Sequence, residues 1–467
     1  MHSHRKIDEY IGLLCNQVRW KKAQAPIAAE MRSHIIDQRD ALIAEGLGED
    51  EATARAIAET GDAAQIGMEL DRAHRPRTQW GMLCVMAALL AMGFVIQLLL
   101  FDPPEYGGLW ENRVIALGLG VAVMGFVYFL DFTWFGKYAP ILFVVLVMGI
   151  GGGTMFARNI NGARQFVNIG FFPLSLTAVS LLLPLMLAGL VFRARGKGLY
   201  GLAICGGALV AGGVSISMVY SMPALAHYAA AGLCILLVAQ WRGWFGVKRV
   251  RGFLLILVPA VICVAGFLLT ASRYHSARIE ASFFPERFED THGFVTLMTR
   301  ELVSGAKLFG QGNVPEIYAN VLANARGAFA FDQVLTTVLV RWGWAAFVGL
   351  VCVLGWFIVR GFRLCFKQKS SLGLYLSMAC MLTFAAQFAA YVVWNLGFQL
   401  ITPLSLPFVS YGNSAIVMNL VLAGVALSVF RTGDIVRDKV TGQRDGEGKE
   451  PFYVALCRRI VGRYEGR

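Results

Sequence analysis

Apolar and polar positions divide the chain into three stretches. Over residues 1–79, apolar side chains recur at helical spacing (Ile7, Ile11, Leu14, Val18, then Ile27, Met31, Ile35, Leu42), which predicts two amphipathic helices parted near Pro26. Gly46-Leu47-Gly48 ends the second, Glu49–Ala58 restarts a helix, and Gly61-Asp62 stops it before Ile66–Leu70. The stretch reads as a three- or four-helix unit, too charged for a signal peptide. From Trp80 onward, ten apolar runs follow at about 80–101, 114–135, 138–157, 171–192, 199–220, 222–239, 253–271, 334–359, 372–398 and 408–430. Each is near the ~20 residues that cross a bilayer core. Residues 431–467 are polar again, and 451–467 fit either a basic amphipathic helix or a solvated tail.

Composition supports that division. Of 467 residues, 57% are hydrophobic and 15% charged, which excludes an ordinary soluble enzyme and a disordered chain. The expected fold class is an all-α polytopic membrane protein: ten spans over 80–430, a cytoplasmic helical domain over 1–79 and a cytoplasmic tail over 431–467. The net charge of +12 sits mainly between the spans: residues 1–79 carry −2, 431–467 carry +3, and 80–430 carry +11. Positive charge spread over short loops is a topology signature and not a nucleic-acid patch. Lys137, Arg193/Arg195/Lys197, Arg242/Lys248/Arg249/Arg251 and Arg360/Arg363/Lys367/Lys369 mark alternate loops as cytoplasmic, which puts both termini there too. The long external segment is about 272–333. Nine cysteines without CxxC spacing read as free thiols, and no metal site is apparent.

Four constellations carry candidate chemistry. Leu406-Pro407-Phe408-Val409-Ser410-Tyr411-Gly412-Asn413-Ser414 enters the last run; it reads as a helix cap with small-residue packing or as a place for a polar head group. Asn161–Gly170 contains Arg164, a planar cation suited either to a phosphate or to interfacial snorkelling. Gly305-Ala306-Lys307-Leu308-Phe309-Gly310-Gln311-Gly312 is a glycine-rich turn in which Lys307 would neutralise a phosphate. Asp332 precedes Val334-Leu335 and lies eleven residues before Gly343-Trp344; alone it reads as an N-cap or as a catalytic carboxylate.

Together these motifs resemble the SEDS family, the RodA/FtsW type of peptidoglycan polymerases. The family pattern L-P-F-[VI]-S-Y-G-G-[ST] is matched with one departure, Asn413 for the second glycine. Asn395-x-Gly397, the G-x-R segment at Arg164, the G-x-x-L-F-G-x-G turn and the Asp332-to-Gly343 offset match further family patterns. Ile7-Asp8-Glu9-Tyr10, His34–Gln38 and Thr60-Gly61-Asp62 resemble a HAAS-type prefix domain. The resemblance implies a glycosyltransferase that polymerises the undecaprenyl-pyrophosphate-linked precursor lipid II at the outer face of the bacterial cytoplasmic membrane. It implies Asp332 as the catalytic base, Arg164 and Lys307 as a phosphate clamp, and Ser410, Tyr411 and Gly412 at the substrate. The implied partner is a class B penicillin-binding protein transpeptidase, with membrane lipid around both. A divalent cation would assist pyrophosphate departure, but no ligand cluster for one stands in the sequence. Departures also occur: Ser175–Leu181 lacks the family's Glu and Lys, and Met222–His227 lacks its Asp. A catalytically silent scaffold and a lipid flippase therefore stay open as alternatives.

Overall fold

The structure, a computed structural model, describes residues 2–100, 107–160, 163–170, 172–270, 273–291, 293–318, 332–400 and 402–433. The tail beyond Gly433, and with it the expected amphipathic helix at 451–467, lies outside them. The chain divides into two compact units, with the boundary between Arg77 and Thr78.

The first unit holds α1 (His2–Gln17), α2 (Lys21–Ala44), α3 (Glu49–Thr60) and α4 (Ala63–His74). The apolar positions of the periodic pattern form its core, with Leu14 and Ile35 fully enclosed. The first break falls at Val18–Trp20 and not at Pro26, which sits inside α2. Side chains fix the break there: Gln24 Nε2 donates to the Cys15 and Val18 carbonyls (3.1 and 2.8 Å), and Asp71 accepts the Arg19 N–H at 2.8 Å. These bonds cap the end of α1, while Pro26, close to the start of α2, forfeits only one helical hydrogen bond. Gly46 and Leu47 donate back to Ile43 and Leu42 in a Schellman closure, and Asp62 caps α4 through the Gln65 N–H. Residues 1–77 expressed alone are expected to give a cooperative helical melt by circular dichroism. Ile35→Ala should lower its stability by about 2–5 kcal/mol.

The second unit begins with α5 (Trp80–Leu100), α6 (Gly107–Phe129) and α7 (Thr133–Phe156). A small antiparallel sheet follows, β1 (Arg158–Ile160), β2 (Ala163–Ile169) and β3 (Phe172–Ser175), in the order β1-β2-β3. The loop expected around Arg164 is thus a strand. Next come α8 (Leu176–Val179), a 3-10 turn and α9 (Leu183–Arg193), then α10 (Gly198–Ser217), α11 (Met222–Trp241) and α12 (Arg249–Thr270). Within the expected long loop lie α13 (Arg273–Phe283) and α14 (Phe294–Ser304). The chain continues through α15 (Val334–Trp342), α16 (Trp344–Phe366), α17 (Ser371–Asn395) and α18 (Asn413–Thr432).

Among the described residues, nine helices are long and apolar enough to cross a membrane. Helix α12 stands where the pattern places a further apolar run. Large apolar side chains such as Phe126, Met148 and Val261 are exposed, as expected where lipid is the solvent. Helix α18 is the most enclosed and packs chiefly on α6.

Two expected boundaries move. Helix α6 starts at Gly107, seven residues before the apolar run at 114, so Arg113 lies within the helix and is buried. The run 334–359 is broken at Gly343, which separates α15 from the membrane helix α16.

Candidate functional site

The site is built around the turn that leads into α18. Phe408 adopts a positive φ of 67° while its ring packs against Phe357 and Phe384, with centroids 5.5 and 5.3 Å away. That backbone bend drives the Phe408 and Val409 peptide onto α5. There Gly93 leaves the room: a Cβ would lie 2.7 Å from the Phe408 carbonyl oxygen. One turn further along α5, Gln97 Nε2 donates to the Val409 carbonyl at 2.5 Å. From α6, Arg113 Nη2 donates to the Ser410 carbonyl at 3.4 Å and the guanidinium lies 5.7 Å from the Tyr411 ring centre. Arg113 is only 2% exposed, yet its Nε and Nη1 have no partner. Gln97 Oε1 and Asn413 Oδ1 are orphaned in the same way. Four unsatisfied polar atoms therefore gather about one buried turn, each a position that a ligand or water would satisfy.

The motif residues divide by role. The Ser410 hydroxyl is buried and donates to the Leu406 carbonyl at 3.2 Å, which occupies its proton within the turn. Gly412 precedes α18, with its carbonyl accepting from Ile416 N–H. Ser414 Oγ accepts from the Ser175 N–H and donates to the Pro173 carbonyl, at 3.0 and 2.9 Å. This ties the turn to β3, which pairs with β2, the strand that carries exposed Arg164.

Asp332 is organised from α17. Gln387, Tyr391 and Asn395 lie four residues apart and share one helix face. Gln387 accepts the Ser405 hydroxyl (3.3 Å) and donates to Asn419 Oδ1 (3.0 Å) beside the turn. Tyr391 OH accepts the Val334 N–H, and Asn395 Oδ1 accepts the Thr336 N–H, at 3.3 and 3.0 Å. Asn395 Nδ2 also donates to the Asp332 carbonyl at 3.4 Å. The first N–H groups of α15 are thus satisfied by α17, and the N-cap position is Gln333, so the N-cap reading of Asp332 does not hold. Its carboxylate is exposed on one side and crowded by protein on the others, and desolvation raises its pKa above the usual aspartate range.

The glycine-rich turn docks at the break between α15 and α16. Gly343 has φ 88°, and its neighbours Trp344 and Ala345 donate N–H bonds to the Lys307 and Leu308 carbonyls at 2.9 and 3.0 Å. Gly310 and Gly312 donate in return to Trp342 and Val340. A Cβ at 343 would meet the Leu308 and Lys307 oxygens at 2.6 and 2.7 Å. Gly343→Ala is expected to destabilise this junction by more than about 1 kcal/mol, seen as a lower melting temperature in detergent and faster proteolysis at 305–312. Arg341 Nη1 donates to the Leu99 carbonyl at 2.6 Å, joining the same junction to the end of α5, two residues past Gln97. Lys307 itself is exposed, and Asp332 makes no ion pair with Lys307 or Arg164.

A profile of the FtsW/RodA/SpoVE family, described as "Cell cycle protein", matches residues 79–434. The chain belongs to this family. A probable peptidoglycan glycosyltransferase FtsW of Thioalkalivibrio sulfidiphilus is 26% identical over 342 residues, covering 69% of this chain and 76% of the relative. The peptidoglycan glycosyltransferase MrdB of Escherichia coli K12 is 21% identical over 336 residues, covering 69% and 85%. Among solved structures, a chain from a peptidoglycan synthase complex that coordinates polymerization and crosslinking superposes with a TM-score of 0.61 at 22% identity, covering 76% of this chain and 98% of that one. The rod shape determining protein RodA of Thermus thermophilus gives 0.55 at 18% identity, covering 76% and 97%. The FtsW/RodA/SpoVE fold accounts for the membrane unit, and the helical prefix is an addition before it.

Gly93, Gln97, Arg113, Gln387 and Tyr391 belong to the site but to none of the sequence motifs. The signal for Gln97 and Arg113 was present only as polar side chains at the margins of the first two apolar runs.

Proposed function

We propose that this FtsW/RodA/SpoVE-family protein is a peptidoglycan glycosyltransferase that polymerises lipid II at the outer face of the bacterial cytoplasmic membrane. The observation that carries the reading is Asp332: a solvent-accessible carboxylate whose pKa desolvation raises, beside a helix start that does not need it as a cap. A hydroxyl of the acceptor sugar attacks the anomeric carbon of the donor, the attacking proton passes to Asp332, and the lipid pyrophosphate leaves. Cations answer the charge that builds on the leaving group. Arg164 and Lys307 present theirs at the surface, and Arg113 offers two unpartnered donors next to the Ser410–Tyr411 turn. Tyr411, half-buried, lies beside Arg113 at the same turn and would meet the substrate there.

Both termini lie in the cytoplasm in this reading, with residues 1–79 acting as a HAAS-like module and a class B penicillin-binding protein transpeptidase as the partner. The similarity to a chain of a peptidoglycan synthase complex supports that pairing. Cysteine labelling checks the orientation: reagent added outside the cell should reach Cys placed at Glu301 and not at Glu45. The reverse pattern would overturn it.

A silent scaffold is the second reading, favoured by Ser175–Leu181. Ala178 and Leu181 stand there in place of the Glu and Lys of the family pattern, while the Ser175 hydroxyl caps α8 by accepting the Ala178 N–H at 3.3 Å. Purified protein incubated with lipid II separates the two. Glycan chains support the polymerase; their absence under conditions in which a RodA-type control is active supports the scaffold.

A further inference from the structure

At one end of the membrane unit, two loops are locked into a single surface. The loop after α9 and the loop after α11 share backbone bonds, Gly196 N–H to the Trp244 carbonyl (2.9 Å) and Gly198 N–H to the Phe245 carbonyl (2.8 Å). Trp244 Nε1 donates to the Val191 carbonyl at 2.8 Å, and Phe245 is fully buried beneath the junction. Gln240, also fully buried, turns Nε2 toward the carbonyls of Val247, Lys248 and Arg249 at 3.2–3.4 Å. The loop backbone is held inward while its charged side chains stay exposed.

The charges all have one sign. Arg195 and Lys197 on the first loop, with Arg242, Lys248, Arg249 and Arg251 on the second, are exposed. No Asp or Glu occurs anywhere between Asp131 and Glu280. Asp131 itself accepts from the Thr133 N–H and hydroxyl, at 3.1 and 2.9 Å. Two of the cations are stacked on aromatic rings, Arg195 at 5.0 Å from the Trp244 centre and Arg249 at 5.9 Å from Trp241. An apolar margin adjoins them: Tyr200, Trp241, Val250 and Leu254 are all exposed. Cations, an amphipathic Trp and an apolar flank in that succession match the succession of phosphate, glycerol and acyl chain in a phospholipid.

We infer that the joined 193–198 and 242–251 loops form a binding site for an anionic glycerophospholipid. Phosphate oxygens meet the arginines and lysines, and the acyl chains lie along Tyr200, Trp241 and Leu254. Seven cations without a carboxylate among them, Arg193 included, favour a headgroup with two phosphates over one with a single phosphate. Because the loops are pre-organised, binding pays little ordering entropy.

The test uses the full chain in detergent, with native mass spectrometry of retained lipid after addition of cardiolipin, phosphatidylglycerol or phosphatidylcholine. Cardiolipin is expected to be held most tightly, phosphatidylglycerol next, and phosphatidylcholine at least tenfold more weakly. Arg195→Gln, Lys248→Gln and Arg249→Gln should each weaken cardiolipin about fivefold, whereas Arg195→Lys and Arg249→Lys retain most binding. Arg287→Gln serves as a control, since that side chain pairs with Glu280 at 3.0 Å elsewhere on the protein. Single Gln variants that keep full affinity, or equal retention of phosphatidylcholine, would overturn the assignment. Displacement of cardiolipin by an equal concentration of glycerol phosphate would also overturn it, because the site would then serve a soluble phosphate.

Discussion

Asp332→Asn is expected to reduce lipid II polymerisation by roughly 10²–10⁴-fold while leaving the fold intact. The physical basis is that the carboxylate is not holding α15 in place. Tyr391 and Asn395 supply the acceptors for the first N–H groups of that helix, so neither Asn nor Ala at 332 removes a cap. The pH dependence has a definite sign. Desolvation raises the Asp332 pKa, so the folded protein binds this proton more tightly than the unfolded chain does. Stability attributable to this group therefore falls as pH rises from the ordinary aspartate range through the raised value. Activity moves the other way, because only the ionised form accepts a proton. Asp332→Asn should melt at or above the wild-type temperature at neutral pH and lack this titration. An Asn variant that polymerises at the wild-type rate would remove Asp332 from the mechanism.

Arg113→Met is expected to cost about 10²–10³-fold in polymerisation, the scale seen when one preorganised charge-stabilising donor is lost. Melting temperature is the discriminating readout. The guanidinium is buried with two donors that no protein group accepts, and each such buried donor costs about 1–3 kcal/mol or more while it stays unsatisfied. A residue retained only for structure should destabilise the protein when removed, through loss of its bond to the Ser410 carbonyl. A residue retained for an anionic substrate should give an inactive variant that melts no lower, since Met fills the volume without the desolvation cost. Binding of undecaprenyl pyrophosphate supplies a readout independent of turnover: it should stabilise wild type and fail to stabilise Arg113→Met.

The membrane-spanning helices were legible because twenty-residue apolar runs have few other uses. Helix ends were less so. Hydropathy starts the second run at residue 114, but a helix continues wherever its backbone bonds do, and these carry α6 back to Gly107 with Arg113 inside. Gly343 lies within a single run of the hydropathy pattern that also contains Arg341, and its positive φ against the Lys307 and Leu308 carbonyls shows that the run is two helices. The sheet did have a local sign. In the sequence, Asn161-Gly162, a dipeptide favoured in two-residue hairpins, stands between the segments that form β1 and β2, in a stretch that the hydropathy pattern reads only as a loop. Motif matching selected Asp332 and the 406–414 turn; the link between them through Gln387, Tyr391 and Asn395 depends on tertiary contacts that no linear spacing announces.

That link has a mechanical consequence. Gln387 and Asn395 are eight residues apart, so about 12 Å of rigid helix separates the grip on Ser405 from the grip on Asp332. Both contacts lie on one face of the same helix, so the spacing between the Ser405 hydroxyl and the Asp332 backbone is fixed for as long as α17 keeps its own backbone bonds.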